Sequence, residues 1–253
     1  MPVFDTHFHI IDTRFPVMEN QGFLPPVFTV EDYLERTRGL DIKAGTVVAG
    51  SFQGTQTEYM LDALEKLGPR FVGVIQLAAT VTDAEIIKLN AAGVRALRFN
   101  LYRGGSAGIE DLDRMARRVH DIAGWHVELY ADVASMGPMF ETIASLPAVS
   151  IDHLGMTQAG LPALLKLAER GVKVKATGFG RTEVDVPSAL RDLARANPEC
   201  LMFGTDLPSQ RARRPFEPAD MDLIRDVLGE PLARKAFWDN AVAFYRPAEL
   251  PPQ

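Results

Sequence analysis

The chain has 253 residues, of which 47% are hydrophobic and 24% are charged, a balance typical of a folded globular protein. Its formal net charge of -6 argues against the basic surface that nucleic-acid-binding proteins present to phosphates. No stretch supplies the roughly 20 apolar residues of a membrane-spanning helix, and no basic segment followed by an apolar run opens the chain. We therefore expect a cytoplasmic protein with neither nucleic acid nor membrane as a partner.

Short runs rich in Val, Ile and Phe alternate with helix-length amphipathic segments. This alternation is typical of a parallel sheet wrapped by helices. The runs predict eight strands, near residues 2–9, 45–50, 71–77, 94–99, 125–130, 148–153, 172–177 and 200–205. Because a (β/α)₈ barrel takes about 250 residues, we predict an α/β fold of the TIM-barrel type, with one domain over residues 1–253.

The predicted helices carry their own start and stop signals. Thr55 with Glu58, and Thr82 with Glu85, match the spacing of capping boxes. Glycines stand where five of the helices are expected to end, at Gly39, Gly68, Gly93, Gly124 and Gly171.

Two proline-containing segments, residues 10–28 and 207–219, interrupt the alternation. Each follows a strand that ends in candidate catalytic residues. Because the loops after the carboxyl ends of the strands form the active face of a parallel barrel, we interpret both segments as substrate loops.

The single cysteine, Cys200, cannot form a disulfide within the chain. It precedes the apolar residues Leu201, Met202 and Phe203, so we expect a buried thiol in a reducing compartment. A free cysteine in such surroundings usually acts as a small hydrophobic residue, and we do not assign it as a nucleophile.

Polar side chains stand at the ends of three predicted strands. His7 and His9 end the first strand, and the two-residue period of a strand places both on the same side. His153 ends the sixth strand and Asp206 follows the eighth. Because the carboxyl ends of parallel strands meet at one face of a barrel, these four side chains are predicted to share one cavity.

The four side chains suit two kinds of chemistry. Three imidazoles and a carboxylate are suitable ligands for one zinc ion. Without a metal, an ionised Asp206 could take a proton from water while the imidazoles donate hydrogen bonds to a carbonyl oxygen. The spacing of the residues leaves both schemes open.

Five motifs, taken in order, resemble the amidohydrolase superfamily, and in particular its branch with 2-pyrone-4,6-dicarboxylate lactonase and sugar-acid lactonases. They are residues 5–9 (DTHFH), 93–100 (GVRALRFN), 151–153 (IDH), 204–206 (GTD) and 240–245 (NAVAFY). The resemblance, which covers almost the whole chain, implies that Asp206 activates water, that His7, His9 and His153 polarise the scissile carbonyl, and that no divalent metal is required.

A one-metal alternative stays open, since related decarboxylases are similar in binding one Zn²⁺ with this same set of residues, here His7, His9, His153 and Asp206. A two-metal centre is disfavoured: residues 172–177 lack the histidine that many metal-dependent members carry, and residues 125–130 lack a bridging lysine.

Arginines after the predicted strand ends indicate a small carboxylated substrate, because the planar guanidinium group pairs with carboxylates. The resemblance implies this role most closely for Arg98 and Arg181. The substrate-binding candidates are Arg98, Arg181, Tyr130, Arg103, Ser51 and Gln53. For Arg211, Arg213 and Arg214 we expect solvated loop charges.

We therefore expect a hydrolase that opens a carboxylated lactone and uses no cofactor. One alternative is a zinc-dependent decarboxylase or a zinc-dependent hydrolase of another carboxylated substrate. Another is a barrel that binds a sugar acid without catalysis. Residues 207–210 (LPSQ) differ from the Trp-Pro-His of relatives, so the sequence does not indicate which lactone is the substrate. It does not indicate the oligomeric state either.

Overall fold

The computed structural model describes residues 1–251 and contains eight parallel strands that pair in sequence order. The strands are β1 (Val3–Phe8), β2 (Ile42–Val48), β3 (Phe71–Ile75), β4 (Val94–Asn100), β5 (His126–Tyr130), β6 (Val149–Ile151), β7 (Lys173–Ala176) and β8 (Leu201–Phe203). Each overlaps the strand predicted from the sequence, and the TIM-barrel prediction is confirmed.

Helices lie between the strands and after β8. They are α1 (Val30–Arg36), α2 (Glu58–Leu67), α3 (Asp83–Ala91), α4 (Leu112–Ala123), α5 (Phe140–Ser145), α6 (Leu161–Glu169), α7 (Val186–Ala196), α8 (Pro218–Arg234) and α9 (Asn240–Tyr245). None of the helices in residues 1–251 is long and apolar enough to cross a membrane.

One of the two predicted capping boxes is present. The Thr82 hydroxyl accepts a hydrogen bond from the amide of Glu85, whose carboxylate accepts one from the amide of Thr82. The box at Thr55 was wrong, because a turn in which the amide of Gln56 donates to Gln53 delays the start of α2 to Glu58.

The two edges of the sheet meet between β1 and β8. The amide of Asp206 donates to the His7 carbonyl at 2.7 Å, and the amide of His9 donates to the Leu207 carbonyl at 2.8 Å. Gly204 permits this approach, since a Cβ atom there would lie 2.7 Å from the His7 amide nitrogen. Closure of the barrel therefore joins two candidate catalytic residues directly.

The amino-terminal end of the barrel is apolar and is sealed by α9. Tyr245 stacks on Phe4 with a centroid distance of 5.5 Å, within a buried cluster that includes Met202. His126 packs against Phe244 at 4.1 Å and is buried. The carboxyl-terminal motif thus has a structural role at the end opposite the candidate site.

Cys200 is buried and its thiol is free. Burial raises the pKa of this thiol to about 12. A thiol with so high a pKa carries little of the thiolate needed for attack, in agreement with the structural role expected for it.

Candidate active site

The carboxyl ends of the strands bring the four candidate catalytic residues together. The His7 ring lies 5.1 Å from the His9 ring and 4.9 Å from the His153 ring. The Nε2 atoms of His7 and His9 each lie 3.8 Å from Asp206 Oδ1. Residues from β1, β6 and β8 therefore form one compact cluster.

Two of these residues have an unusual backbone conformation. His153 and Asp206 adopt positive φ angles of 49° and 57°, in the left-handed region. Such conformations in non-glycine residues cost roughly 1–3 kcal/mol each and are concentrated at functional sites. Gly178, with a φ of +59°, lies beside His153 where a Cβ atom would be 2.7 Å from Nδ1. The strained backbone at these two strand ends therefore supports a functional site here.

The two oxygens of Asp206 have different surroundings. Oδ2 accepts hydrogen bonds from Arg181 Nε at 3.0 Å and Nη2 at 2.8 Å. Oδ1 is buried and has no hydrogen-bond partner among residues 1–251. Burial raises the pKa of the carboxyl group, and the charge of Arg181 opposes this rise. Arg181 therefore fixes the carboxylate and leaves one oxygen free to accept a proton.

The three imidazoles are held neutral. Burial, assisted by Arg98, lowers the pKa of His9 to about 3. Burial also lowers the pKa of His7 and of His153 well below the ordinary value, with additional repulsion from Lys175 and Arg181 respectively. Neutral imidazole has one donor and one acceptor nitrogen, so each ring can serve in a hydrogen-bonding role.

Four buried charges lie beneath these imidazoles and form a charged layer, defined as Arg98, Glu128, Asp152 and Lys175. Arg98 donates to Glu128 Oε1 at 2.9 Å and to Asp152 Oδ2 at 2.8 Å, and Lys175 also donates to Glu128. Burial raises the pKa of Glu128 to about 7, an effect that Asp152 reinforces and the two cations oppose. Two cations thus balance two carboxylates, the condition under which buried charge is tolerated.

A cavity of about 450 Å³, including its open mouth, lies above the cluster. His9 and His153 line it, and the buried His7 and Asp206 adjoin these two residues. Among the predicted substrate-binding residues, the cavity is lined by Arg98, Arg181, Tyr130, Arg103 and Ser51.

Gln53 does not line the cavity. Its Nε2 donates to the Ile10 carbonyl at 2.8 Å, and its Oε1 accepts from the Gly50 amide at 2.8 Å. The prediction of a substrate contact at Gln53 was wrong, because both ends of the amide hold backbone segments in place.

The loop arginines separate into two groups. Arg211 lines the cavity, where its guanidinium lies 4.5 Å from the centroid of the Phe23 ring. Arg213 pairs with Glu183 at 3.0 Å and is 79% exposed, and Arg214 pairs with Asp220. Arg211 is half-exposed and donates to Asn20, so the facing loop of residues 10–28 holds this charge at the mouth.

The amidohydrolase family model matches residues 4–246. The chain belongs to the amidohydrolase family. A 4-sulfomuconolactone hydrolase of Rhizobium radiobacter is 28% identical over 244 residues, covering 88% of this chain and 81% of the relative. A 2-pyrone-4,6-dicarboxylate hydrolase of Comamonas testosteroni is 24% identical over an alignment of 283 residues, covering 97% of this chain and 90% of the relative.

A crystal structure of an apo protein from Agrobacterium tumefaciens has the same fold. It matches with a TM-score of 0.86 at 22% identity and covers 99% of this chain and 97% of its own. The family match confirms the expected superfamily membership.

Many amidohydrolases bind a metal, and the donor atoms here fit one by distance. The candidate ligand atoms of His7, His9 and Asp206 lie within 4.8 Å of one another, as do those of His7, Asp152 and His153. His9 Nδ1 lies 2.8 Å from the Val48 carbonyl, which places its proton there and leaves a lone pair on Nε2.

The hydrogen bonding of His7, which both sets require, does not fit a metal. Its Nδ1 lies 3.2 Å from the Lys175 ammonium, which has donors and no lone pair. A neutral imidazole that accepts at Nδ1 carries its proton on Nε2, the nitrogen that faces Asp206. That nitrogen then has no lone pair for a cation.

No function was predicted from the sequence for Lys175, Glu128 or Asp152. One signal was available, a lysine at the centre of a strand in a parallel barrel. Charged residues are almost never fully buried unless they are paired, so Lys175 required a buried carboxylate nearby. That carboxylate belongs to Glu128 on β5, two strands away, and the pairing depends on the register of the strands between them.

Proposed function

We propose that this amidohydrolase opens a small carboxylated lactone by hydrolysis. The observation that carries the proposal is the unpartnered Oδ1 of Asp206, which faces neutral imidazoles next to an arginine-lined cavity. The two relatives named as lactone hydrolases support the same reaction class.

In the proposed reaction, Asp206 Oδ1 takes a proton from water as the water oxygen bonds to the lactone carbonyl carbon. An imidazole N–H group of His7 or His153 stabilises the negative charge that develops on the carbonyl oxygen. The His9 proton is used by the Val48 carbonyl and does not serve this role. Collapse breaks the bond between this carbon and the ring oxygen. The ring oxygen leaves with the proton held by Asp206, so the product has a new carboxylic acid and a hydroxyl group.

Two arginines at the cavity support an anionic substrate. Arg103 and Arg211 line it, and among the described residues their guanidinium groups contact the amide side chains of Gln21 and Asn20 rather than a carboxylate. The buried Nε of Arg103 also has no hydrogen-bond partner in the described part of the chain. Because guanidinium groups bind carboxylates through paired hydrogen bonds, we assign these two residues to a substrate carboxylate.

Arg181, Arg98 and Tyr130 are proposed to orient the substrate deeper in the cavity. The Tyr130 hydroxyl and the Nε atom of Arg98 are both buried, and neither has a hydrogen-bond partner within residues 1–251. A substrate carboxylate at Arg181 would compete with Asp206 Oδ2 for the guanidinium. Ser51 is proposed as a further polar contact at the mouth.

The first test is turnover of a panel of carboxylated lactones, including 2-pyrone-4,6-dicarboxylate, by metal-analysed protein with and without chelator. We expect chelator-resistant hydrolysis, with Asp206→Asn reducing kcat at least about a hundredfold, the scale of a lost general base. Circular dichroism and thermal unfolding of the variant serve as the folding control.

Other outcomes would favour other functions. Turnover that appears only after zinc is restored would support a zinc-dependent hydrolase or decarboxylase. Tight binding of a sugar acid without turnover would support a non-catalytic barrel. An unchanged rate in folded Asp206→Asn would overturn the assignment of Asp206 as the base.

A further inference from the structure

The Lys175 ammonium is completely buried and makes three short polar contacts. Its Nζ donates to the Thr6 carbonyl at 2.8 Å and to the Glu128 carboxylate. The third contact is His7 Nδ1 at 3.2 Å. An ammonium group has three N–H bonds, one for each of these contacts when His7 Nδ1 is the acceptor.

A competing arrangement would place the His7 proton on Nδ1, directed at Asp152. His7 Nδ1 lies 3.4 Å from Asp152 Oδ1. However, this contact is longer than the 3.2 Å contact between Nδ1 and Lys175, and it lacks the geometry of a hydrogen bond, so that Oδ1 has no partner in the part of the chain that the structure describes. The contact of Nδ1 with Lys175 is thus the better hydrogen bond.

We propose that Lys175 is a positioning residue that holds the His7 proton on Nε2, so that His7 is a hydrogen-bond donor in the cluster and a poor metal ligand. His7 Nε2 lies 3.8 Å from Asp206 Oδ1, too far for a direct hydrogen bond. The N–H group is therefore free to donate to an oxygen of water or substrate. His9, whose Nδ1 lies against a carbonyl, has the opposite tautomer.

The tautomer is measured directly in the unmodified protein. Two-dimensional ¹H–¹⁵N spectra of protein labelled with ¹⁵N-histidine distinguish the two neutral forms of each of the five histidines. The His7→Gln variant identifies the His7 signals by their loss. We expect the Nε2-protonated form at His7, and an Nδ1-protonated form at His7 would overturn the proposal whatever the enzyme's substrate.

Zinc affinity supplies a second, independent readout. After dialysis against buffered zinc, we expect the unmodified protein to retain well under one equivalent. Lys175→Met frees His7 Nδ1 to carry the proton and Nε2 to bind a cation, so its zinc affinity is expected to rise at least about tenfold. Adding His7→Gln to this variant is expected to abolish the gain.

Charge and hydrogen bonding are separated by a double variant. Lys175→Met leaves the charged layer one positive charge short, and a cation would be attracted for that reason alone. Lys175→Met with Glu128→Gln restores the charge balance and still lacks the third N–H donor. Gain of zinc affinity in both variants supports the proposal, and gain in the single variant alone would overturn it.

The kinetic prediction rests on the proposed function, whereas the spectra and zinc affinities do not. In Lys175→Met with Glu128→Gln, kcat is expected to fall at least about tenfold with little change in KM, because a donor to the transition state is lost. If neither variant folds, the spectra of the unmodified protein still decide the question.

Discussion

Removal of Arg98 is expected to destabilise the barrel far more than removal of a surface arginine. Arg98 is 2% exposed and joins Glu128 to Asp152. In Arg98→Met, Lys175 remains as the one cation of the charged layer beside two buried carboxylates. Removing one partner of a buried ion pair costs about 3–5 kcal/mol. At roughly 2–4 °C per kcal/mol for a chain of this size, the melting temperature should fall by about 6–20 °C.

The assay is urea denaturation at pH 7, followed by circular dichroism and tryptophan fluorescence. Arg195→Met is the matched control, because Arg195 pairs with Asp192 at 3.0 Å on the surface and is 77% exposed. Exposed pairs contribute about 0–1 kcal/mol. Arg98→Met combined with Asp152→Asn restores one cation to one carboxylate and should recover part of the loss. Equal losses for Arg98→Met and Arg195→Met would refute the importance of the charged layer.

Two further predictions concern the cavity mouth and the closed end of the barrel. Arg211→Met is expected to raise KM for a carboxylated lactone roughly 10–100-fold, the scale of a charged hydrogen bond. In the control variant Arg213→Met, KM is expected to stay nearly unchanged. A fall in kcat at constant KM in Arg211→Met would contradict the assignment of Arg211 to substrate binding. Burial, reinforced by Lys175, lowers the pKa of His126 well below its usual 6.5. Below pH 6.5 the unfolded chain therefore binds a proton at His126 that the folded protein does not bind. The folded protein is most stable with respect to this group above pH 6.5, and it loses stability as the pH falls. His126→Leu should therefore reduce the loss of unfolding free energy between pH 6.5 and 4.5, by about 1.4 kcal/mol per pH unit. The measurement is the unfolding free energy from urea denaturation at several pH values. An equal dependence on pH in the two proteins would show the reasoning to be wrong.

The alternation of strands and helices was sufficient to predict the barrel and the strand ends at which His7, His9, His153 and Asp206 stand. These features follow from local backbone geometry, because parallel strands carry the residues at their carboxyl ends to one face. The two-residue period of a strand would also place Asp5 on the same side as His7, but this prediction fails. Asp5 instead accepts hydrogen bonds from Tyr33 and Thr205. A register irregularity in β1, between Asp5 and Phe8, accounts for the difference.

The sequence by itself determined the fold class, the family resemblance and the cluster of strand-end polar groups. Only the tertiary structure decided which groups pair, because Lys175 meets His7 across 168 positions of sequence and Glu128 across 47. It also placed Gln53 against the Ile10 carbonyl and Arg211 over Phe23. The physical reason is that periodicity fixes the side of a strand on which a residue lies, whereas its partner depends on strand register, barrel closure and the loops that meet above the sheet.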